Sequence, residues 1–244
     1  ATLGPRLKKT LPGSLSLTFN GHATRLAWSK NNNRVHLWDL KSDEELAIIQ
    51  TKDDEVNTVF NSDGTLLATC GSSGTIQIWD VDTGEEISTF QKSTSTTHDT
   101  TRELEFTPDG TILASWGKSI HQDDDDKFFI ELWDIETGKN IAVIPAHETT
   151  ITVLAFSPDG ERFATGSFDD TIRLWETSSG RELAVLRGHM DVVRSVVFTP
   201  DGRTLVSGSS DGSIRLWDTA SGEDMANLVG HDSDVVSLAF SPDG

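Results

Sequence analysis

Apolar and polar residues alternate along this chain in runs of four to seven, and each run stops at a cluster of turn-forming residues. The stretch from 151 to 186 shows the pattern well: "ITVLAF", then Ser-Pro-Asp-Gly, "ERFATGS", then Asp169 and Asp170, "TIRLWE", then Ser178 to Gly180, and "ELAVL". Period-two alternation turns every second side chain to the same face, as a strand with one face in a core requires. In the turns, proline presets one backbone angle and glycine accepts a positive one. The spacing predicts four short strands over this segment and an all-β chain.

The same segment recurs. Trp-Asp or Trp-Glu closes an alternating strand at Trp38, Trp79, Trp133, Trp175 and Trp217, with spacings of 41, 54, 42 and 42. An aromatic residue opens a turn at Phe60, Phe106, Phe156, Phe198 and Phe240, and from Phe60 to Trp79, Phe156 to Trp175 and Phe198 to Trp217 the distance is 19. Counting 19 back from Trp38 lands on Phe19, so "LTFNGHATRLAWSKNNNRVHLWD" aligns without gaps to "LAFSPDGERFATGSFDDTIRLWE". His22 then stands at the turn position held by Asp159, and the Gly21-His22 pair does not open a repeat. A period of about 40–45 with four strands per repeat is the signature of a propeller blade.

The Trp-Asp endings, the Ser-Pro-Asp-Gly turns and the Gly-His pairs at Gly188/His189 and Gly230/His231 resemble the WD-repeat family of β-propellers, in wording closest to its prokaryotic members. The resemblance implies a single propeller domain over 1–244, built of four-stranded antiparallel blades. Five are complete, at roughly 14–50, 51–90, 100–144, 147–186 and 189–229, and one is split and incomplete, from 1–13 and 231–244. In that reading "RLKKTL" is an outer strand and "DVVSLAF" an inner one. The shared blade lacks its middle strands, and open strand edges invite aggregation. The expectation is a ring of seven blades, completed by further chain or by strands from a partner.

Carried over by position, the family's hydrogen-bonded tetrad falls on His147, Thr165, Asp169 and Trp175, and again on His189, Ser207, Asp211 and Trp217. A buried indole N–H and a buried carboxylate each need partners. A nucleophile needs an exposed oxygen beside a base; a trio repeated inside a structural pattern reads as scaffold. Thr51 and Ser73 stand where His and Asp are expected in the second blade, and Trp28 where Ser or Thr is expected in the first, which implies looser blades there. The resemblance implies a non-enzymatic interaction scaffold or a regulatory or sensor module, with no cofactor.

Charge narrows the partners. The chain has 39 acidic and 20 basic residues, a formal charge of −19, which repels nucleic acid and anionic membrane and leaves proteins as the expected partners. The one basic cluster, Arg6, Lys8 and Lys9, is too small to reverse this. With Cys70 the only cysteine, an internal disulfide and a thiolate zinc cage are both excluded. That suits a reducing, cytoplasmic setting. Cys70, Trp28 and Trp116 read as packing.

The third repeat is enlarged. Phe106 to Trp133 is 27 residues, with the excess in "GKSIHQDDDDKFF", and Trp79 to Phe106 is also 27, with the excess in "QKSTSTTHDTTRE". Both insertions rise on the face that carries the turns from the second to the third strand and the links between blades. Asp123, Asp124, Asp125 and Asp126 are either a solvated loop or a recognition loop. With His98 and His121, Asp123 and Asp125 form a weak candidate metal site, because calcium loops space their carboxylates at alternate positions. This site is also where the alternative reading, a propeller enzyme or a metal-dependent ligand site, would have to lie. Elsewhere on that face the expected partner-contacting positions are Glu55, Asn57, Thr150, Thr152, Val192, Arg194, Phe168 and Ser210, with Asp234 and Val236 beyond. Phe168 is either the anchor of an interface or packed against a neighbouring blade.

Overall fold

The computed structural model describes residues 16–30, 32–54, 56–91, 103–119 and 127–241. These hold twenty strands and no helix. The first blade takes β1 (Leu17–Phe19), β2 (Arg25–Lys30), β3 (Arg34–Asp39) and β4 (Glu44–Gln50), and the second β5 (Val56–Phe60), β6 (Leu66–Gly71), β7 (Thr75–Asp80) and β8 (Glu86–Gln91). The third takes β9 (Glu103–Phe106), β10 (Ile112–Ser119), β11 (Lys127–Asp134) and β12 (Asn140–His147). The fourth takes β13 (Ile151–Phe156), β14 (Arg162–Ser167), β15 (Thr171–Glu176) and β16 (Glu182–Arg187), and the fifth β17 (Val193–Phe198), β18 (Thr204–Ser209), β19 (Ser213–Asp218) and β20 (Asp224–Val229). Each set of four is one antiparallel meander whose strands pair in chain order, called a to d below.

Alternation along these strands gives every blade two apolar faces, and the core lies between blades. Ala27, Val35, Leu37 and Ile49 of the first blade pack on Val56, Phe60, Leu67 and Trp79 of the second. Ala68, Ile76, Ile78 and Phe90 of the second meet Leu104, Phe106, Leu113 and Trp133 of the third. The third and fourth blades, and the fourth and fifth, join in the same way. The a strands of neighbouring blades run side by side, β1 with β5, β5 with β9 and β13 with β17, so five blades form a propeller-like arc whose a strands line the inside.

The a–b turns show why the repeat keeps a polar residue after its phenylalanine. Ser157 Oγ donates to Asp159 Oδ1 and accepts from the Arg162 N–H, while Asp159 Oδ1 accepts from the Glu161 N–H. Thr107, Thr199 and, through its amide oxygen, Asn61 do the same work in their blades. Gly64, Gly110, Gly160 and Gly202 close these turns at φ between 69° and 74°. In the first blade the position falls to Ala23, which is held at φ 49°.

The third blade departs from the others in strand b. Gly166 and Gly208 of strand b face the next blade so closely that a Cβ would lie 2.6 Å from Val193 Cγ1 and 2.5 Å from Val235 Cγ1. In the third blade the same position is Trp116, buried in the cluster with Ile151 of the fourth.

Where the pattern of "DVVSLAF" points to an inner strand, the described residues 231–241 form none. They lie along the fifth blade instead: the Val235 N–H donates to the Ser209 carbonyl at 2.9 Å, the Leu238 N–H donates to Ser195 Oγ at 3.1 Å, and Val235 is buried. A strand a has no ladder to join unless a strand b follows. The residues 1–13 assigned to the other half of that blade lie outside the described residues.

Candidate functional site on the rim of the b–c turns

The blades owe their cohesion at this rim to polar side chains buried at fixed positions. In the fourth blade Trp175 Nε1 lies 2.9 Å from Thr165 Oγ1, which lies 2.8 Å from His147 Nε2, and His147 Nδ1 lies 2.9 Å from Asp169 Oδ2. An indole can only donate and an ionised carboxylate can only accept, so the chain runs one way. Trp175 donates to Thr165, Thr165 donates to His147 Nε2, and the His147 Nδ1–H donates to Asp169. The fifth blade repeats it through Trp217, Ser207, His189 and Asp211, at 2.8, 2.7 and 3.1 Å. Burial pushes the Asp169 carboxyl up, but the hydrogen bonds from His147 and Thr171 outweigh it and bring it down to about 2. Asp211 is likewise held low despite burial, by Ser213, the Met190 N–H and His189, and burial keeps His189 below its usual value. The hydroxyls of Thr165 and Ser207 are therefore occupied on both sides and shielded from solvent, which is not how a nucleophile is presented.

The departures in the other blades are filled rather than loose. In the second, Trp79 still donates to Thr69 at 3.0 Å, and the missing carboxylate is replaced from the link before strand a. There Asp53 accepts from Ser73 Oγ at 2.7 Å, and its carbonyl accepts from Thr51. In the third, Trp133 donates to Ser115 at 3.1 Å. In the first, Trp28 occupies the hydroxyl position and stacks on His36, with centroids 5.0 Å apart, so Trp38 turns to Asp43 Oδ1 at 3.2 Å.

A second regularity is harder to see in the sequence. Two residues before each blade tryptophan a polar side chain reaches strand d, always nine residues on. The pairs are His36 with Glu45, Gln77 with Glu86, Glu131 with Asn140, Arg173 with Glu182 and Arg215 with Asp224. The chemistry changes from blade to blade, and in the third the acceptor and donor exchange strands, so similarity between repeats does not reveal it.

Of the expected contact positions, the structure brings four together. The Arg194 guanidinium lies over the Phe168 ring at 5.3 Å, its Nε donates to Ser210 Oγ at 2.8 Å, and Ser210 donates to Asp234 Oδ2 at 2.9 Å. A stacked, tethered arginine is a preorganised platform. It crosses the rims of the fourth and fifth blades and reaches the segment beyond. Phe168 stays 47% exposed, with Met190 at 86% and Val236 at 67% on the same rim. Asp170 lies among Asp191, Asp169 and Asp211, and its carboxyl is raised by burial first and by those neighbours next.

Of the other expected contact positions, one is buried and three make hydrogen bonds within the fold. Val192, just before strand a, is only 8% exposed. Thr152 donates across the seam to the Val193 carbonyl and to Gly166, which makes it a stitch between blades. Asn57 donates to Glu103 at 3.3 Å, while Thr150 is half-buried and its carbonyl accepts from the Phe168 N–H. Glu55, His98, His121 and Asp123 to Asp126 lie outside the described residues, among which no group of three or more metal-binding side chains occurs.

Five antiparallel four-stranded blades with a repeated Trp–hydroxyl–His–Asp chain define a β-propeller repeat protein. The family model described as "WD domain, G-beta repeat" matches residues 44–80, 138–176, 180–218 and 222–244, and the chain belongs to that family. The first three matched stretches run from strand d of one blade to strand c of the next, so the sequence repeat interlocks the blades. Among curated relatives, guanine nucleotide-binding protein subunit beta-5b of Danio rerio is 39% identical over 44 residues, 18% of this chain and 11% of that protein. The serine-threonine kinase receptor-associated protein of Dictyostelium discoideum is 44% identical over 46 residues, 19% of this chain and 16% of that protein. The match thus spans less than a fifth of either relative. Among solved structures, the computationally designed Ika8 protein superposes with a TM-score of 0.74 at 25% identity, over 93% of this chain and 65% of that one. Proteins of this family generally act as protein-interaction scaffolds.

Proposed function

We propose that this chain is a non-enzymatic interaction scaffold or regulatory module that binds a protein partner on the rim carrying the b–c turns and the d–a links, centred on Phe168 and Arg194. The observation that carries this reading is the stacked pair itself, tethered through Ser210 to Asp234 and left open to solvent. A structural role would bury the ring; here three consecutive segments cooperate to hold it out. Aromatic and arginine side chains are the ones that dominate interface energetics. The charge of −19 supports a protein partner over nucleic acid or an anionic membrane.

The test is affinity capture from source lysate with the wild type, Phe168→Ala and Arg194→Glu, after all three are shown to melt alike. Loss of a specific partner in both variants is the expected result. An unchanged catch would overturn the site. The acidic insertion is proposed to extend the same contact, and shortening 119–127 to an ordinary turn tests it separately.

A further inference from the structure

At the opposite rim, where the a–b turns lie, the a strands of four blades line a recess of about 370 Å³. Its lining takes Phe19, Phe60, Phe106 and Phe156, one from each blade, with Phe60 and Phe106 largely buried in the seams, and a single carboxylate, Glu105. The residues at the same register of the other a strands are Thr18, Val59, Ala155 and Val197, all uncharged. Glu105 accepts no hydrogen bond and forms no ion pair among the described residues. Burial chiefly, and Glu103 on the same strand to a lesser extent, push its carboxyl up to about 7. The flanking strands β1, β5 and β13 bring no titratable side chain to it, and Ala114 is its partner on β10.

An ionisable group without a partner inside an aromatic recess is a cost that the other four blades avoid. It is offset only by something that arrives with the opposite charge. We propose that the recess binds a protonated alkylamine, with Glu105 as counter-ion and the phenylalanine rings against the alkyl stem. A metal ion does not fit. Glu103 is engaged by Asn57, and the side-chain oxygens of Asn61, Ser62 and Thr107 in the lining are taken up within the a–b turns. The volume is in the range of small-ligand sites, ring faces attract cations, and the acidic molecule draws a cation toward it. The amine is either free or the end of a lysine side chain. This site is independent of the partner rim.

The experiment titrates wild type and Glu105→Gln with n-butylammonium, with n-butanol and with an Nα-acetyl-lysine amide, by calorimetry at pH 8 and pH 6. Saturable binding of an amine is expected, at least tenfold weaker in Glu105→Gln and absent for n-butanol. It should also weaken about tenfold from pH 8 to pH 6 as Glu105 takes up its proton. The tighter of the two amines identifies the source. Absence of saturable binding by both amines would overturn the proposal, and so would binding that n-butanol matches or that Glu105→Gln retains. Glu105→Gln preserves shape and removes a buried charge, so it folds, and its melting curve is recorded with the titration.

Discussion

Glu105 sets one stability term against pH. Its carboxyl is raised from 4.5 to about 7 on folding, so between those values the folded chain holds a proton that the unfolded chain has lost. The resulting stability is present in full below the unfolded value and disappears as pH rises through about 7. Each pKa unit is worth about 1.4 kcal/mol, discounted here because the carboxylate faces a recess that water reaches. Glu105→Gln is expected to raise stability at pH 8 by about 1–3 kcal/mol and to have little effect at pH 4, read from urea midpoints at the two values. Equal effects at both would mean that burial is not what raises this group. Asp169 and Asp211 act in the opposite sense: held low in the folded chain, they stabilise it above the unfolded carboxylate range, and that contribution fades as acid reaches their folded values. Glu105 is the one charge among the residues that precede the five a-strand phenylalanines, but its missing partner is not written in the sequence, because the flanking a strands come from 40 or more residues away.

The turns and strands were the most legible part of the molecule, since a strand or a tight turn is specified by its own residues. The 19-residue spacing from Phe to Trp corresponds to one a–b–c unit in each regular blade, and the alignment of Phe19 with Phe156 places Ala23 where glycine stands elsewhere. The structure gives that alignment a consequence. At φ 49° Ala23 sits in the left-handed region, which costs a residue with a Cβ about 1 kcal/mol. Ala23→Gly removes the strain but adds freedom to the unfolded chain, so the expected gain is a few tenths of a kcal/mol to about 1, measured by thermal melting. A lower melting temperature would show that the turn is not strained. What the pattern could not supply was compensation between positions. The expectation of loose first and second blades came from reading Trp28, Thr51 and Ser73 one at a time. Asp43 and Asp53, which take over the orphaned hydrogen bonds, stand outside the repeated positions. The burial of Val192 and the bond from Thr152 across the seam were hidden for a related reason: which side of strand a a residue takes is a matter of one residue in register.

For the molecule as a whole, stability is a sum over blades and the seams between them, and the two ends of the arc show what a seam contributes. Leu154 in the fourth blade is 6% exposed, whereas Leu17 at the same register of the first is 48% exposed. On the forward faces, Ile172 and Leu174 are buried against the fifth blade, whereas Ile214 and Leu216 of the fifth are only half-buried. Burying one such side chain fully contributes about 1.5–3 kcal/mol, and each seam buries several. Our proposed ring has seven blades, so two further copies of the fourth repeat appended after the fifth blade should cover both bare faces. The expected outcome is a higher urea midpoint with a steeper transition, as more surface is exposed on unfolding, together with slowed amide exchange in β1 and β19. If the midpoint rose but β1 went on exchanging freely, the added blades would be stacking without closing, and a different number of repeats would be needed to bring Leu17 and Phe19 into a seam. The recess around Glu105 gives an independent reading of the same closure. Its walls are a strands, so amine affinity should change when the first blade gains a neighbour.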